Sequence, residues 1–294
     1  MAISFVYLTV VTRKHSSKRQ RRPAVSFMAM PNITDVVTMN SHLEKFLKLP
    51  VINKHDFPYI LNEEARCQEN NVEILFIVPS APQNILRRKS VRTSSLYRFV
   101  KNPKNKAALM FFIGVQLQNS TTEDNRIQYL IEVESLNYQD IVQQNFTDIY
   151  HHVRYKHVSM LQWASKFCSN ASYVIRNDDD VTIDQDRVIK RLRILGSRYD
   201  NFIVGDVSSA RLVVHDKASK FSKYYVSREE YPGDYFPPFA RGGLLGYPLQ
   251  TVRLLYEAAL RLKPLWLDDV FITAFCRKRI NATLLADSEF IFLH

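Results

Sequence analysis

Glycine is scarce in this chain, with seven residues among 294. None of them stands in a G-x-x-x-x-G-K-[ST] or G-x-G-x-x-G string, the glycine-rich patterns with which P-loop and dinucleotide-binding proteins hold phosphate groups. If this protein binds phosphates, it binds them without a glycine loop.

Cysteines and long apolar runs are also few. Cys67, Cys168 and Cys276 lie far apart with no C-x-x-C pair, so a zinc site is not expected. At most one disulfide can form among these cysteines, with one thiol left over. The apolar run at residues 1–11 is too short to span a bilayer and lacks a leading basic region, so no membrane anchor is evident in the sequence.

Two signals about cellular location conflict. The chain has five N-x-[ST] sequons, at Asn32, Asn119, Asn145, Asn170 and Asn281, where chance gives about two, which favours the lumen of the secretory pathway. Six basic residues between positions 13 and 22 follow the apolar run, and under the positive-inside rule they favour a cytosolic location for the rest. A poorly ordered basic tail or an incomplete N-terminus is the other interpretation of this segment.

The charge balance indicates a small anionic ligand. The net charge is +11, from 40 Lys and Arg against 29 Asp and Glu. Without the cluster at 13–22 the chain has 34 basic and 29 acidic side chains, a surplus of +5. A nucleic-acid-binding protein would more often have a continued basic stripe interleaved with aromatic residues, so we expect no nucleic-acid partner.

Apolar residues make up 46% of the chain, which is enough for a substantial core. Short runs rich in β-formers alternate with helical periodicity at 90–100, 127–134 and 148–167. The predicted strands are Val72–Val78, Ala107–Val115, Tyr138–Val142, Tyr173–Ile175 and Phe202–Val204. This alternation predicts an α/β fold with a mainly parallel sheet flanked by helices. Residues 1–66 are interpreted as a basic tail and stem-like lead-in, and 67–294 as the folded domain.

Three adjacent carboxylates, Asp178, Asp179 and Asp180, follow the fourth predicted strand. Ligands of open α/β sheets bind outside the carboxyl ends of strands. Adjacent carboxylates raise one another's pKa unless a cation neutralises them, and their hard oxygen atoms favour Mg²⁺ or Mn²⁺ together with substrate phosphates. A solvated acidic turn is the alternative. An EF-hand is excluded, because Ile183 stands where its glycine is needed.

A second acidic pair, Asp268 and Asp269, opens an apolar-faced helix.

The segment Tyr173–Val181 (YVIRNDDDV) resembles the metal-binding segment of the β-1,3-galactosyltransferase family, glycosyltransferase family 31, which includes β-1,3-N-acetylglucosaminyltransferases. Further motifs match in order from about residue 72 to residue 281. They are R-x-x-[IV]-R-x-[ST] at Arg88–Ser94, F-x-G at Phe112–Gly114, E-x-x-x-Y-x-D-[IL] at Glu134–Ile141, Lys156, Trp163, Cys168, K-[WY]-x-V-S at Lys223–Ser227, the aromatic block Tyr235–Gly242, and D-D-V at Asp268–Val270.

The chain departs from the family pattern at three places. Ser95 stands where a tryptophan is usual, and Thr273 occupies a usual glycine position. Arg241–Leu245 (RGGLL) replaces an S-G-x-x-Y segment, which would reshape the floor of the sugar pocket. The resemblance therefore leaves the identity of the donor sugar open.

The resemblance implies a GT-A type nucleotide-sugar transferase fold, with residues 67–294 as the catalytic domain. It implies an inverting transfer of galactose or N-acetylglucosamine from a UDP-sugar to a glycan on a glycoprotein or glycolipid, in β-1,3 linkage. It also implies Mn²⁺ or Mg²⁺ as cofactor and a lumenal location at the Golgi membrane.

Roles for single residues follow from the same resemblance. Asp269 is the candidate general base, with Asp268 or a purely helix-capping role as alternatives. Asp180 is the candidate metal ligand, together with Asp178. The candidate substrate-binding residues are Arg88, Arg92, Asp178, Asp179, Lys156, Lys223 and Gly242. For the basic residues a solvated surface position is the alternative. His294 is either a metal ligand or part of a frayed C-terminus.

The aromatic residues of the matched segments also allow two interpretations. Trp163 lies on an apolar helix face, so a core position is expected for it. Tyr224, Tyr225, Phe236 and Phe239 are either core residues or platforms on which a sugar stacks.

Two rival functions use the same carboxylates. One is a catalytically weakened lumenal protein that binds glycans or nucleotide sugars. The intact D-D-D and D-D-V segments favour a working transferase over this alternative. The other is a metal-dependent phosphohydrolase, which lacks support because no histidine cluster adjoins the acidic sites.

Overall fold

A mixed sheet of eight strands runs through the part of the chain described by this computed structural model, residues 41–68, 71–116 and 122–292. In spatial order the strands are β1 (Tyr59–Leu61), β4 (Ile141–Thr147), β3 (Ala107–Val115), β2 (Ile74–Pro79), β5 (Tyr173–Asn177), β9 (Phe239–Pro248), β6 (Phe202–Ser208) and β10 (Thr283–Ala286). The pairs β4–β3, β3–β2, β2–β5 and β6–β10 are parallel. Strand β9 is antiparallel to both of its neighbours, and β1 is antiparallel to β4. The strands β7 (Arg211–Leu212) and β8 (Tyr235–Phe236) form a separate small sheet.

Helices cover both faces of the main sheet. They are α1 (residues 41–47), α2 (Ala65–Gln68), α3 (Ile85–Thr93), α4 (Ser95–Lys101), α5 (Thr122–Tyr138), α6 (Val153–Phe167), α7 (Gln185–Gly196), α8 (Leu249–Arg261) and α9 (Asp268–Val270), which continues through a π-helical turn (Phe271–Cys276) into α10 (Arg277–Arg279).

Alternate residues of each buried strand point into two separate cores. Leu75 and Ile77 of β2 join the core with α6 and α8, whereas Ile74, Phe76 and Val78 join the core with α4 and α7. Such strands are apolar on both faces because helices cover both. The predicted α/β architecture, a mainly parallel sheet flanked by helices, is confirmed.

Several predicted elements have different ends in the structure. The third predicted strand begins at Ile141, because α5 extends to Tyr138 and Gln139 then adopts a φ of 52°, which ends the helix. The predicted helix at 90–100 is divided at Ser94, whose extended backbone closes α3 and whose hydroxyl accepts a hydrogen bond from the Tyr97 N–H at the start of α4. Serine favours such a cap because its side chain replaces the missing backbone acceptor.

Part of the predicted lead-in belongs to the folded unit. Strand β1 extends the sheet beside β4, and Phe46 of α1 is buried in the core. The N–H groups of Ile52 and Asn53 both donate to the carbonyl of Leu260, at 3.0 and 2.9 Å. The basic cluster at 13–22 lies outside the described residues. No helix within the described ranges is long and apolar enough to cross a membrane.

A disulfide joins Cys67 of α2 to Cys168 at the end of α6, and Cys276 is a buried free thiol. The two bonded cysteines are 101 residues apart.

Because a cross-link restricts the unfolded chain more when the loop is long, the Cys67→Ser/Cys168→Ser variant is expected to lose about 2–5 kcal/mol of unfolding free energy. Urea denaturation measures this loss. A reducing agent should destabilise the parent and leave the variant unchanged; equal parent midpoints with and without reductant would contradict the pairing.

Candidate active site

The acidic triplet lies at the edge of the sheet where β2, β3 and β5 end. The backbone N–H of Asp178 donates to the carbonyl of Gly243 in β9 at 2.9 Å, and the N–H of Ser80 donates to Phe112 of β3 at 3.0 Å. Ser80, which follows β2, and the triplet, which follows β5, therefore meet at this edge, as expected for a ligand site of an α/β sheet.

Asp179 is almost buried and is held by neighbours that follow β2. Its Oδ2 accepts hydrogen bonds from the Ser80 hydroxyl at 2.6 Å and from the Asn84 amide at 3.0 Å, and Arg87 donates to its Oδ1 at 3.1 Å. With its oxygen atoms engaged inside the chain, Asp179 fixes the triplet against the loop after β2.

Asp180 and Asp178 differ in environment. The Asp180 side chain is 45% exposed and pairs at 2.8 Å with Arg87, itself exposed. Asp178 faces Arg176 at 3.3 Å. Burial, together with the charges of the neighbouring carboxylates, outweighs the opposing charge of Arg176 and raises the pKa of Asp178 to about 6. Crowded carboxylates of this kind are what a divalent cation stabilises.

The donor atoms at this edge fit a hard cation that is shared with a ligand. Among the described residues, no three His, Cys, Asp or Glu side chains are grouped as a ligand set. Mg²⁺ and Mn²⁺ need only one or two protein carboxylates when phosphate oxygens and water supply the other positions. Asp180, whose exposed carboxylate pairs with Arg87, and Asp178 are the carboxylates at this edge that could supply such positions.

A buried ionic cluster connects the triplet to the second acidic pair. Arg176 of β5 donates through Nη1 to Asp268 Oδ2 at 2.8 Å, and His157 of α6 donates through Nδ1 to the same oxygen at 2.8 Å. Burial and the charge of Arg176 lower the pKa of His157, so the imidazole is neutral. Burial alone would raise the pKa of Asp268, but Arg176 and His157 outweigh it and hold that pKa well below its usual value.

Gly242 makes room for this cluster. A Cβ atom at Gly242 would lie 2.9 Å from Nη1 and 3.0 Å from Nη2 of Arg176. Gly242, predicted to bind substrate, therefore allows β9 to approach the guanidinium group of Arg176 closely in this structure.

Asp269 is adjacent to Asp268 in sequence but lies in a different environment. Its side chain is partly exposed, and its Oδ1 accepts the N–H of Val270 at 2.7 Å. Burial and the neighbouring charge of Asp268 raise the pKa of Asp269 to about 7. Two carboxylates whose pKa values are pushed apart by their surroundings can take different chemical roles: Asp268 stays ionised, and Asp269 can exchange a proton near neutral pH.

The helix that carries Asp269 is attached to β9 at Thr273. The hydroxyl of Thr273 donates to the carbonyl of Asp269 at 2.6 Å and accepts the N–H of Ala240 at 2.8 Å. Thr273 lies in the π-helical turn, a feature often found at functional sites. The departure from glycine at this position therefore supplies a contact that orients Asp269.

Arg88 and Arg92 lie inside the protein. Arg88 makes two hydrogen bonds to Glu134, at 2.9 and 2.8 Å, and one to the carbonyl of Ala81 at 2.7 Å. Arg92 pairs with Asp140 at 2.6 Å and lies 4.2 Å from the Tyr138 ring centre. The two arginines are one helical turn apart on α3 and both bind Glu134 of α5. Arg88 also donates to the loop after β2, which contacts Asp179.

The two candidate lysines are in separate places. Lys156 is buried at the site edge, with Nζ 2.8 Å from Asp148 and 2.5 Å from the carbonyl of Ser80. Lys223 is exposed on a turn, and its Nζ lies 4.7 Å from the Tyr224 ring centre. Arg241, which marks the altered segment in β9, pairs with Asp206. His294 lies outside the described residues.

Several site residues were missed by the sequence reasoning: Ser80, Asn84, Arg87, His157 and Arg176. A signal existed for two of them, because Arg176 interrupts an apolar strand and His157 stands on the apolar face of a helix. A charged residue inside a buried strand requires a partner.

Comparisons with known proteins agree with the motifs. A family model described as Galactosyltransferase matches residues 86–285. The Homo sapiens UDP-GalNAc:beta-1,3-N-acetylgalactosaminyltransferase 1 is 28% identical over 253 residues, which cover 85% of this chain and 73% of the relative. The Rattus norvegicus lactosylceramide 1,3-N-acetyl-beta-D-glucosaminyltransferase is 28% identical over 82% of this chain and 67% of the relative.

More distant similarity extends to solved structures. The mannosyltransferase PcManGT from Pyrobaculum calidifontis, in complex with GDP-Man and Mn²⁺, has a TM-score of 0.43 and 12% identity, covering 89% of this chain and 67% of that chain.

Proposed function

This chain belongs to the galactosyltransferase family, and on that premise we propose that it is an inverting hexosyltransferase. It moves galactose or N-acetylglucosamine from a UDP-sugar to a glycan acceptor in β-1,3 linkage. Membership in this family makes the chain a glycosyltransferase. What we propose is the linkage it forms, the donor it uses and its catalytic competence. The observation that carries it is the divided acidic pair: Asp268 is held by Arg176 and His157, whereas Asp269 is partly exposed and accepts the N–H of Val270.

Asp269 is the general base of the proposed transfer. It accepts the proton of the acceptor hydroxyl while the hydroxyl oxygen forms a bond to the anomeric carbon and the bond from that carbon to UDP breaks. A base is most effective when its pKa lies near the working pH, and the pKa of Asp269, about 7, meets this condition. Asp268, kept ionised by Arg176 and by the hydrogen bond from His157, raises the basicity of Asp269 through its negative charge.

Asp180 and Asp178 would hold Mn²⁺ or Mg²⁺, which when bound neutralises charge on the UDP leaving group. For the ribose the candidates are Asp178, beside its metal role, and Asp179, which also binds Ser80 and Asn84; for the phosphates they are Lys156 and Lys223. The position of Lys156 at the edge of the site supports a phosphate-binding role better than that of Lys223, which lies on an exposed turn. Arg88 and Arg92 hold α3 in place through Glu134 and Asp140, and Gly242 leaves room for Arg176.

The proposal includes three candidate donor sugars. The relatives are described as N-acetylgalactosaminyl-, N-acetylglucosaminyl- and galactosyltransferases, so all three UDP-sugars are candidates. The paired charges of Arg241 and Asp206 add polar groups to the altered segment of β9.

A lumenal location at the Golgi membrane completes the proposal, with the catalytic domain predicted at 67–294 extended by the packed segment 41–66. The sequon residues Asn145, Asn170 and Asn281 are exposed, as an attached glycan requires; Asn32 and Asn119 lie outside the described residues. The disulfide between Cys67 and Cys168 suits the oxidising lumen of the secretory pathway.

A donor screen tests the function. Transfer is expected with UDP-galactose, UDP-N-acetylglucosamine or UDP-N-acetylgalactosamine in the presence of Mn²⁺, and EDTA should abolish it. Calorimetry should show that EDTA weakens UDP binding by about tenfold or more, and that Asp180→Ala removes this metal dependence. The matched control is Asp200→Ala, which removes an exposed carboxylate that precedes β6 and lies away from the triplet.

Each failure of this screen has a distinct meaning. Equal UDP affinity with EDTA and with metal would refute the metal site. Metal-dependent UDP binding without transfer to any acceptor would favour the weakened binding protein. Release of UDP and free sugar at the same rate with and without acceptor would favour a hydrolase.

A further inference from the structure

We propose that an aromatic cluster beside Asp269, made of Tyr150, His151, Tyr224 and Trp266, is the subsite on which the acceptor hexopyranose stacks. The inference rests on the proposed function, because it assigns the acceptor side of the same site.

The cluster lies directly beside the acidic pair. Trp266 stands two residues before Asp268, and its Nε1 donates to the carbonyl of Tyr225 at 2.9 Å, which fixes the indole ring. The Tyr150 ring meets the indole edge-on, with ring centres 5.6 Å apart, and the His151 ring centre lies 4.5 Å from the indole. Partial burial, a hydrogen bond with Tyr224 and the nearby charges of the acidic pair raise the pKa of Tyr150 to about 12. Asp268 and Asp269 are therefore neighbours of the cluster.

The cluster is partly open to solvent, because Tyr224 and Trp266 are half-buried and its other two residues are exposed. Tyr150 is 53% exposed, and His151 is also exposed. The contrast with Trp163 is direct: that indole is completely buried, and its Nε1 donates to Asn62 at 2.8 Å within the core. A rigid aromatic surface that is left open gains free energy when a ligand covers it.

The shape and polarity of the cluster suit a sugar ring. Arg211 and Lys223 lie over the Tyr224 ring, at 5.6 and 4.7 Å, so the ring of Tyr150 offers the open face. A hexopyranose has an apolar face of C–H groups and a rim of hydroxyl groups. When the C–H face covers an aromatic ring, the equatorial hydroxyls point sideways in the plane of the sugar, where a carboxylate at the end of the platform can accept a proton. Trp266 of this platform precedes Asp269 by three residues, and the charge of Asp269 acts on Tyr150.

Intrinsic fluorescence tests the subsite without turnover, because the chain has two tryptophans, Trp163 and Trp266. With UDP and Mn²⁺ present, methyl β-galactopyranoside is expected to shift the emission in a saturable way. Sorbitol, which has the hydroxyls without a fixed C–H face, should not do so. The Trp266→Phe variant should lose the signal, leaving the constant emission of Trp163.

Kinetics supply the second readout. Tyr150→Ala is expected to raise the acceptor KM by about tenfold with the donor KM unchanged, and Tyr150→Phe should restore most of the affinity because it keeps the ring. Tyr129→Ala, which removes a tyrosine that is 63% exposed on α5, is the matched control.

The subsite is overturned if the saccharide and sorbitol give the same emission, or if the enzyme transfers sugar and Tyr150→Ala leaves the acceptor KM within twofold of the parent. A parent that transfers no sugar but shows the saturable shift would refute the transferase function while keeping the saccharide subsite.

Discussion

Asp269→Asn is expected to lower kcat by about 10² to 10⁴ while the affinity for UDP with Mn²⁺ stays within a factor of a few. Asparagine keeps the size of the side chain and can still accept the N–H of Val270, which Asp269 accepts at 2.7 Å. It has no basic carboxylate, so only the proton-accepting role is removed. Steady-state transfer kinetics and UDP calorimetry measure the two quantities.

The matched control for this exchange is Asp184→Asn. Asp184 caps α7 and accepts the N–H of Arg187 at 3.2 Å, so it shares the capping role but lies outside the acidic pair. The control should transfer at the parental rate. Activity of Asp269→Asn within tenfold of the parent would reject the base, and a joint loss of UDP binding would mean that the residue shapes the donor pocket.

The pH dependence gives the same residue a second signature. A general base must be ionised in the free enzyme, and the pKa of Asp269 is raised to about 7. The value of kcat/KM should therefore rise with pH and level off above about 7. In Asp269→Asn this limb should disappear from the residual activity.

Arg176→Met is expected to lower the free energy of unfolding by about 3–5 kcal/mol. Arg176 is buried, and its removal leaves the buried charge of Asp268 with a neutral histidine as its remaining partner in the cluster. Chemical denaturation measures the loss. Adding Asp268→Asn to Arg176→Met should restore part of the stability, because the uncompensated charge disappears.

Arg193→Met on α7 is the matched control. Arg193 forms an ion pair of similar length, 2.7 Å to Glu73, but the two side chains are 54% and 35% exposed. Screening by water makes such a pair worth less than about 1 kcal/mol. If Arg176→Met cost no more than this control, Arg176 would not compensate Asp268. Loss of Arg176 should also raise the pKa of Asp269 further, since its positive charge opposes the shift, and move the rising limb of kcat/KM to higher pH.

Much of the fold followed from patterns that are local in sequence. The apolar runs at residues 72–78 and 107–115 are β2 and β3 to within two residues at each end, because a buried strand needs an uninterrupted series of apolar side chains. The boundary at Ser94 and the strand β1 were missed. A single serine cap divides a periodic segment, and a three-residue edge strand is too short to show a period.

The sequence by itself determined the α/β class, the family and the two acidic segments, because each depends on residues close together in the chain. Only the tertiary structure decided the difference between Asp268 and Asp269. Arg176 and His157, which hold Asp268, stand 92 and 111 positions away in β5 and α6. The two aspartates have the same side chain and adjoin each other, so nothing local distinguishes them. A carboxyl pKa is set by burial and by the charges around it, and those are brought together only when distant strands and helices pack.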